Sequence, residues 1–262
     1  MNNDIIYDQF SENYDRFVNW EGRLELELPF LKTELSPQKR SDHNQISVLD
    51  VACGTGQHSI ALQKQGFSCS GADISKKMVE IAQKNAQTMG LIIPFKHAGF
   101  GHLTSAFENQ KFDSLICLGN SLPHVLNEEE MVSTLKDFKN VLKPGGKIII
   151  QNRNFDKIIK TKNRWMEPEA HIEDEQNWLF VRFYDFDPDG MITFNIIILH
   201  KEKGSVFQQN IISTRLWPFS YFKLVDWLNN AQFDNINLFS SLQGEVFDVD
   251  RSPNLVVTAI AN

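Results

Sequence analysis

Residues Val48-Leu49-Asp50-Val51-Ala52-Cys53-Gly54-Thr55-Gly56 constrain the fold of this chain more than any other stretch. A short apolar run ends in an acid, and two glycines follow one residue apart. The apolar face of a helix then begins at once with Ile60, Ala61 and Leu62. That order describes a buried parallel strand whose C-terminal end bends sharply beneath a ligand, with a helix N-terminus behind it. Gly54 and Gly56 tolerate backbone angles closed to other residues and let the main chain approach the ligand.

Two ligand classes favour such a bend, and phosphate separates them. A dinucleotide site uses G-x-G-x-x-G, with pyrophosphate on the helix N-terminus and a third glycine for close packing. Here the third position is Ser59, and the acid at the strand end, Asp50, suits a cation better than a phosphate. S-adenosylmethionine (SAM) carries a sulfonium and an ammonium and no phosphate. The next strand pattern, Phe67 to Asp73, also ends in an acid. A carboxylate there accepts hydrogen bonds from both hydroxyls of a ribose. Ser75 follows as the N-cap of a helix carrying Met78, Ile81 and Ala82.

Taken together, D-x-A-C-G-T-G from Asp50 and G-x-D-x-S-x-x-M-x-x-x-A from Gly71 resemble the class I SAM-dependent methyltransferases. The resemblance implies an enzyme with SAM as cofactor, on a Rossmann-like α/β fold built from a doubly wound, seven-stranded, mostly parallel sheet. The cofactor-binding set it implies is Asp50, Ala52, Gly54, Gly56, Asp73, Ile74, Met78, Gly99, Phe100 and Leu118. Met78 fits the core as well as an adenine contact, because it stands at helical spacing with Ile81 and Ala82. His58 reads as a helix-start residue near the cofactor, and His124 as a loop or packing residue.

Composition narrows the class. At 262 residues the chain is long enough for one α/β core plus an insertion. A formal net charge of −7 argues against a surface that tracks phosphates, so no nucleic-acid partner is expected. Met1 to Phe10 lacks a signal-peptide layout, and no apolar run approaches the length that crosses a bilayer. Cys53, Cys69 and Cys117 are odd in number and widely spaced, as expected of free thiols in a cytoplasmic protein. No metal site is expected.

Along the chain, an amphipathic stretch (Tyr14, Phe17, Trp20, Leu24, Leu28, Leu31) runs to Pro37, and a polar linker, Gln38 to Gln45, leads into the first strand. Strand and helix patterns then alternate: a third strand at about Ile93 to Ala98, a fourth at Phe112 to Leu118, and a helix capped at Asn127 with Glu128, Glu129 and Glu130 in its first turn. That helix stops at Lys143-Pro144-Gly145-Gly146, before a fifth strand from Lys147 to Gln151. From Trp178 to Trp217, three long β-type segments separated by Asp187-Pro188-Asp189-Gly190 and Glu202-Lys203-Gly204 indicate an antiparallel meander inserted after the fifth strand. A helix (about Ser220 to Ala231) and two strands (about Asn235 to Ser240, and Asn254 to Ala261) complete the sheet. Four regions follow: a helical cap at 1–45, a SAM-binding core at 46–165, the β insertion at 166–218, and completion of the core at 219–262. The insertion is expected to act as a substrate lid, as a subunit interface through Phe207, Ile211 and Trp217, or as both.

The fourth strand ends in Cys117-Leu118-Gly119-Asn120-Ser121-Leu122-Pro123-His124, and the fifth in Gln151-Asn152-Arg153-Asn154-Phe155-Asp156. Strand C-termini line the crevice of a doubly wound sheet, so Asn120 and Arg153 face a methyl acceptor. An arginine is a good fork for a carboxylate, though Arg153 could instead pair with Asp156, and Asn120 could serve only its own turn. These two stretches resemble the narrower group of glycine and glycine/sarcosine N-methyltransferases, which carry C-L-G-N-S-x-x-H and R-N-[FY]-D-x-I. That resemblance gives Asn120 and Arg153 the acceptor amino acid, and gives Arg23, in Asn19-Trp20-Glu21-Gly22-Arg23, the carboxylate of SAM.

There are departures. Gly99 stands where the group presents an acid or asparagine to adenine, which leaves recognition to backbone groups and Phe100. Arg215-Leu216-Trp217-Pro218 replaces tyrosines before a proline, making Trp217 the expected acceptor contact there. The sequence lacks the marks of nucleic-acid amino-methyltransferases, protein-arginine enzymes and metal-dependent catechol enzymes. N-methylation of an amino acid or similar small amine is the expectation. O-methylation of a small molecule, N-methylation of an amino sugar, and SAM binding without catalysis remain alternatives. Alignment of the reactants is the expected mechanism, with no catalytic base assigned.

Overall fold

A computed structural model describes residues 3–36, 45–108 and 110–262. Pro37 and all but the last residue of the expected linker, Gln45, lie outside the described residues. Two helices open the chain, α1 (Asn3–Phe17) and α2 (Trp20–Leu35). Alternating elements follow: β1 (Ser47–Val51), α3 (Gln57–Lys64), β2 (Ser68–Asp73), α4 (Lys76–Thr88), β3 (Phe95–His97), α5 (Leu103–Ala106) and β4 (Phe112–Cys117). A 3-10 turn (Leu122–His124) then leads to α6 (Glu128–Asn140), β5 (Leu142–Arg153) and α7 (Phe155–Thr161). The inserted strands are β6 (Glu169–Glu173), β7 (Gln176–Phe186), β8 (Ile192–Lys201) and β9 (Gln208–Leu216), and α8 (Tyr221–Asn230), β10 (Phe233–Phe239) and β11 (Asn254–Ala261) close the chain.

The main sheet has seven strands in the order β10-β11-β5-β4-β1-β2-β3, and only β11 runs antiparallel to its neighbours. From β1 the chain moves outward through β2 and β3 on one side and through β4 and β5 on the other. Their C-terminal ends therefore part at the topological switch point, where ligands bind in such sheets. Strands β1 and β4 are buried almost throughout, as parallel strands covered on both faces must be. Alternation assigns their side chains to two layers. Leu115, Cys117, Ile148 and Ile150 pack with Phe138 and Trp227 on one face, and Ile116 and Ile149 with Leu31 and Leu62 on the other.

Helix starts follow local chemistry. Ser75, Asn127 and Ser220 each accept a hydrogen bond from the third helical N–H, satisfying a donor the helix cannot pair itself. The N-terminal amphipathic stretch divides where Asn19 caps α2 and accepts from the Gly22 N–H. Phe10 of α1, flanked by Tyr14 and Phe17, packs on Trp178, Phe180, Ile196, Ile198 and Ile212 of the second sheet, whereas Leu31 and Leu35 of α2 join the core behind β1.

The second sheet has four strands, β6-β7-β8-β9, all antiparallel. Three long segments were expected; the additional strand, β6, reads Glu-Ala-His-Ile-Glu and is largely exposed at the sheet edge. It has no alternation of burial to betray it. Strand β5 begins five residues before its expected start, because Leu142 pairs with Phe112 before the register shifts through Lys143 to Gly146. No helix among the described residues is long and apolar enough to cross a membrane.

Candidate active site

A cavity of about 740 Å³ lies over the C-terminal ends of β1, β2, β4 and β5, walled by α1 and by the inner face of the second sheet. Ligand sites typically measure about 300–1,000 Å³.

The cofactor end is built on the glycine bend. Ala52, Gly54 and Gly56 all have positive φ, at 57°, 55° and 79°. Ala52 and Gly54 line the cavity, where a Cβ on Gly54 would lie 3.4 Å from the Tyr14 ring. Gly56 does not line it. A Cβ there would fall 2.8 Å from Phe95 and 2.9 Å from Ala82, so this glycine serves the packing of the bend against α4 and β3. Asp50 is likewise behind the wall, with its carboxylate accepting from the Ser59 hydroxyl at 2.7 Å. Burial pushes its pKa up, against the His58 charge and the Ser59 hydrogen bonds. Leu118 is buried in the core beside Ile116 and Ile149 and does not reach the cavity.

Asp73 does reach it. Its two oxygens accept from the Gly54 and Ser75 N–H groups, both at 2.8 Å, and each keeps further acceptor capacity. Burial raises its pKa to about 6, although both backbone hydrogen bonds pull the other way. A buried carboxylate with spare lone pairs and no ion-pair partner among the described residues fits the hydroxyls of a ribose. Ile74, Met78, Gly99 and Phe100 line the same end. Met78 is both wall and core, being 1% exposed. At Gly99 a Cβ would lie 3.2 Å from the Ile74 side chain.

Arg23 enters from α2, its Nε donating to Glu27 at 2.9 Å, while the other Glu27 oxygen meets His58 Nε2 at 2.7 Å. Burial alone would raise the Glu27 pKa; the His58 and Arg23 contacts outweigh it and hold it low. Arg23 is thereby fixed at the cavity wall, suited to the carboxylate of a cofactor. His58 is buried behind Glu27 and does not line the cavity.

Tyr14 and Asp15 of α1 carry no motif that sequence reasoning could use. Tyr14 lines the cavity. Asp15 accepts from Thr55 Oγ1 at 2.6 Å, Trp20 Nε1 at 2.8 Å, and the amides of Gln57 and Asn85 at 3.3 Å. It ties the N-terminal helix to the glycine bend.

At the acceptor end, Asn120 (φ 65°) accepts the Arg153 N–H through Oδ1 at 2.8 Å and donates its own N–H to the Gln151 carbonyl at 3.1 Å. The turn after β4 is thus laced to the end of β5. Asn120 and Arg153 both line the cavity. Arg153 Nη1 makes a long contact with Asn254 at 3.4 Å, and no carboxylate among the described residues pairs with it. Asp156 instead accepts the Tyr221 N–H at 2.8 Å.

Trp217 does not line the cavity. Its N–H donates to the Pro123 carbonyl at 2.8 Å, and its ring packs 5.0 Å from Trp227 and 6.2 Å from Phe219, because the chain turns toward α8 as β9 ends. Besides Met166, the insertion contributes from its sheet Arg182, Tyr184, Phe194 and Ile196 instead. They share one face of the second sheet, at even-numbered positions on β7 and β8. The alternation was legible; which face meets the crevice was not.

His124 also faces the cavity, with Nε2 2.6 Å from the Tyr7 hydroxyl. Burial lowers its pKa to about 4, against a hydrogen bond to the Arg215 backbone, and raises that of Tyr7. At pH 7 the ring is neutral, and the tautomer sets which of His124 Nε2 and the Tyr7 hydroxyl donates. Among the described residues no cluster of three or more His, Cys, Asp or Glu could hold a metal.

A model of the methyltransferase domain matches residues 48–146. The chain is 32% identical to the glycine/sarcosine N-methyltransferase of Aphanothece halophytica over 201 residues, 74% of each protein. It is 35% identical to that of Parasynechococcus marenigrum over 58% of this chain and about half (52%) of the relative. In fold it resembles a SAM-dependent methyltransferase from Clostridium acetobutylicum, with TM-score 0.75 and 16% identity over 98% of this chain and 99% of that one. SAM is the cofactor, and Asp73, Gly54 and Arg23 all line the cavity. The chain belongs to the class I SAM-dependent methyltransferases, in the family of the glycine/sarcosine N-methyltransferases.

Proposed function

We propose that the enzyme N-methylates an amino acid or a similar small amine. The observation that carries this reading is the Arg153 guanidinium, which faces the cavity with no carboxylate partner among the described residues while Asn120 fixes its backbone. A guanidinium of this kind suits a substrate carboxylate. The names of the two relatives point to the same acceptor class.

SAM supplies an activated methyl group when bound. The chain's own task is alignment. Arg153 fixes the acid end of the acceptor, and Asn120 keeps one lone pair of Oδ1 for an amine N–H. The cationic wall disfavours an ammonium and so favours the free amine that attacks. Holding two reactants in line lowers the barrier by several kcal/mol, on the order of 7 in favourable cases. Tyr7 and His124 satisfy each other, and neither is assigned as a base.

Arg153→Ala tests the reading. The acceptor KM is expected to rise about 10- to 100-fold, the effect of losing a charge-assisted contact, with the Kd for SAM nearly unchanged. Equal loss of both affinities would refute the role.

The four-region organisation extends the proposal. Within the region 1–45, α1 and α2 close the cofactor end, the core at 46–165 and 219–262 holds SAM, and the insertion at 166–218 walls the acceptor. The outer face of the insertion, with Leu179 opposite Leu199, Val181 opposite Ile197, and Ile211 beside Ile197, serves contact between copies of the chain. The proposed location is the cytoplasm.

A further inference from the structure

The acceptor half of the cavity holds more positive charge than one amino-acid carboxylate needs. Arg153 enters from β5 and Arg182 from β7, with Tyr184 two residues along the same face of β7. The Tyr184 ring lies 6.4 Å from Phe155, which begins α7 just beyond Arg153, so strand end and insertion wall meet here. Among the described residues no acid lines this part of the cavity: the carboxylates that line it, Glu27, Asp73 and Glu130, belong to α2, the end of β2 and α6.

Arg182 is only partly neutralised. One nitrogen, Nη2, donates to the Glu167 carbonyl at 3.1 Å and to Glu169 at 3.2 Å. The Glu169 side chain is 52% exposed, so water screens that pair. The Arg182 side chain is 13% exposed, its Nε is buried without a hydrogen-bond partner, and its guanidinium lies 4.7 Å over the Phe17 ring. A buried donor without a partner is costly, and a guanidinium held by an aromatic face is pre-positioned for an anion. The Tyr184 hydroxyl makes no hydrogen bond with the described residues and lines the same space. Burial lowers the Arg182 pKa, and the Arg153 charge adds to that effect against the pull of Glu169. Both guanidiniums oppose the burial that raises the Tyr184 pKa.

We infer that the acceptor is a small primary or secondary amine bearing two acidic groups, one held by Arg153 and the second by Arg182 with Tyr184. This inference rests on the amino-acid reading above and narrows it to dicarboxylic amino acids. Arg182 is then a specificity residue, and glycine leaves its charge unanswered.

The test uses isosteric pairs that differ only in charge: glutamate against glutamine and aspartate against asparagine, with glycine and sarcosine alongside. kcat/KM with saturating SAM should favour at least one acid over its amide by roughly tenfold or more. Arg182→Met, which keeps the length of the stem, should bring that ratio close to one. Arg182→Lys should keep part of it, and the Kd for SAM reports that the variants are folded. Equal turnover of acid and amide by the wild-type enzyme overturns the inference, as does preferred turnover of glycine; either leaves the amino-acid reading standing. Methylation of no amino acid, acidic or neutral, removes both.

Discussion

At the scale of single residues, Asp73 is the most exposed to test. Its pKa in the folded protein, about 6, lies above the unfolded value of 3.8 because burial penalises the charge. Between those values the native state binds the extra proton, so acidification through pH 6 relieves a cost that is fully present at neutral pH. Ribose hydroxyls donate to the ionised form. SAM binding therefore expels a proton at low pH, and calorimetric affinity should weaken toward tenfold per unit below pH 6. Asp73→Asn should bind weakly with no such pH dependence. Gly56 is a packing residue: Gly56→Ala combines a φ of 79° with a Cβ 2.9 Å from Ala82, and should cost about 1–3 kcal/mol in denaturant unfolding. That Asp73 and Gly54 stand at the cavity was legible, because strand, acid and glycine have a fixed order. Leu118 and Trp217 were misplaced because sequence gives a residue's neighbourhood and not the direction of its side chain. Leu118 turns into the core, and Trp217 turns toward Trp227.

Among elements, α1 is tied to the glycine bend. Asp15 receives four donors from α2, the glycine bend, α3 and α4, and Tyr14 leans over Gly54. Asp15→Ala leaves the buried Thr55 hydroxyl and the Trp20 N–H without this acceptor, a loss of about 1–3 kcal/mol. Faster hydrogen exchange in α1 and weaker SAM binding are expected together; unchanged exchange with weaker binding would separate the cap from the site. Helix and strand boundaries of the core were readable from caps and apolar runs, as Ser75, Asn127 and Ser220 illustrate. The break between α1 and α2 was hidden, since Phe17, Trp20 and Leu24 continue one amphipathic rhythm across it. Only tertiary packing sends Phe17 to the second sheet and Leu31 to the core.

For the whole molecule, one side of the second sheet makes an enzyme's wall and the other an apolar surface. Ile211 is 56% exposed on that outer face. If copies of the chain associate there, light scattering should report a dimer and Ile211→Asp should shift it toward monomer with the SAM affinity retained; a monomeric wild type contradicts this. The βαβ order announced the sheet and its crevice. The depth of the cavity was not legible, because it arises where α1, β5 and β7, distant in sequence, converge on Arg153 and Arg182. The most direct measurement of the central claim is transfer of labelled methyl from SAM to a panel of amino acids, amino sugars and phenols. Label on the nitrogen of an amino acid, with a KM raised at least about tenfold by Arg153→Ala, is the predicted result. Label on a phenol or sugar alone, or on no acceptor while SAM binds tightly, would contradict it.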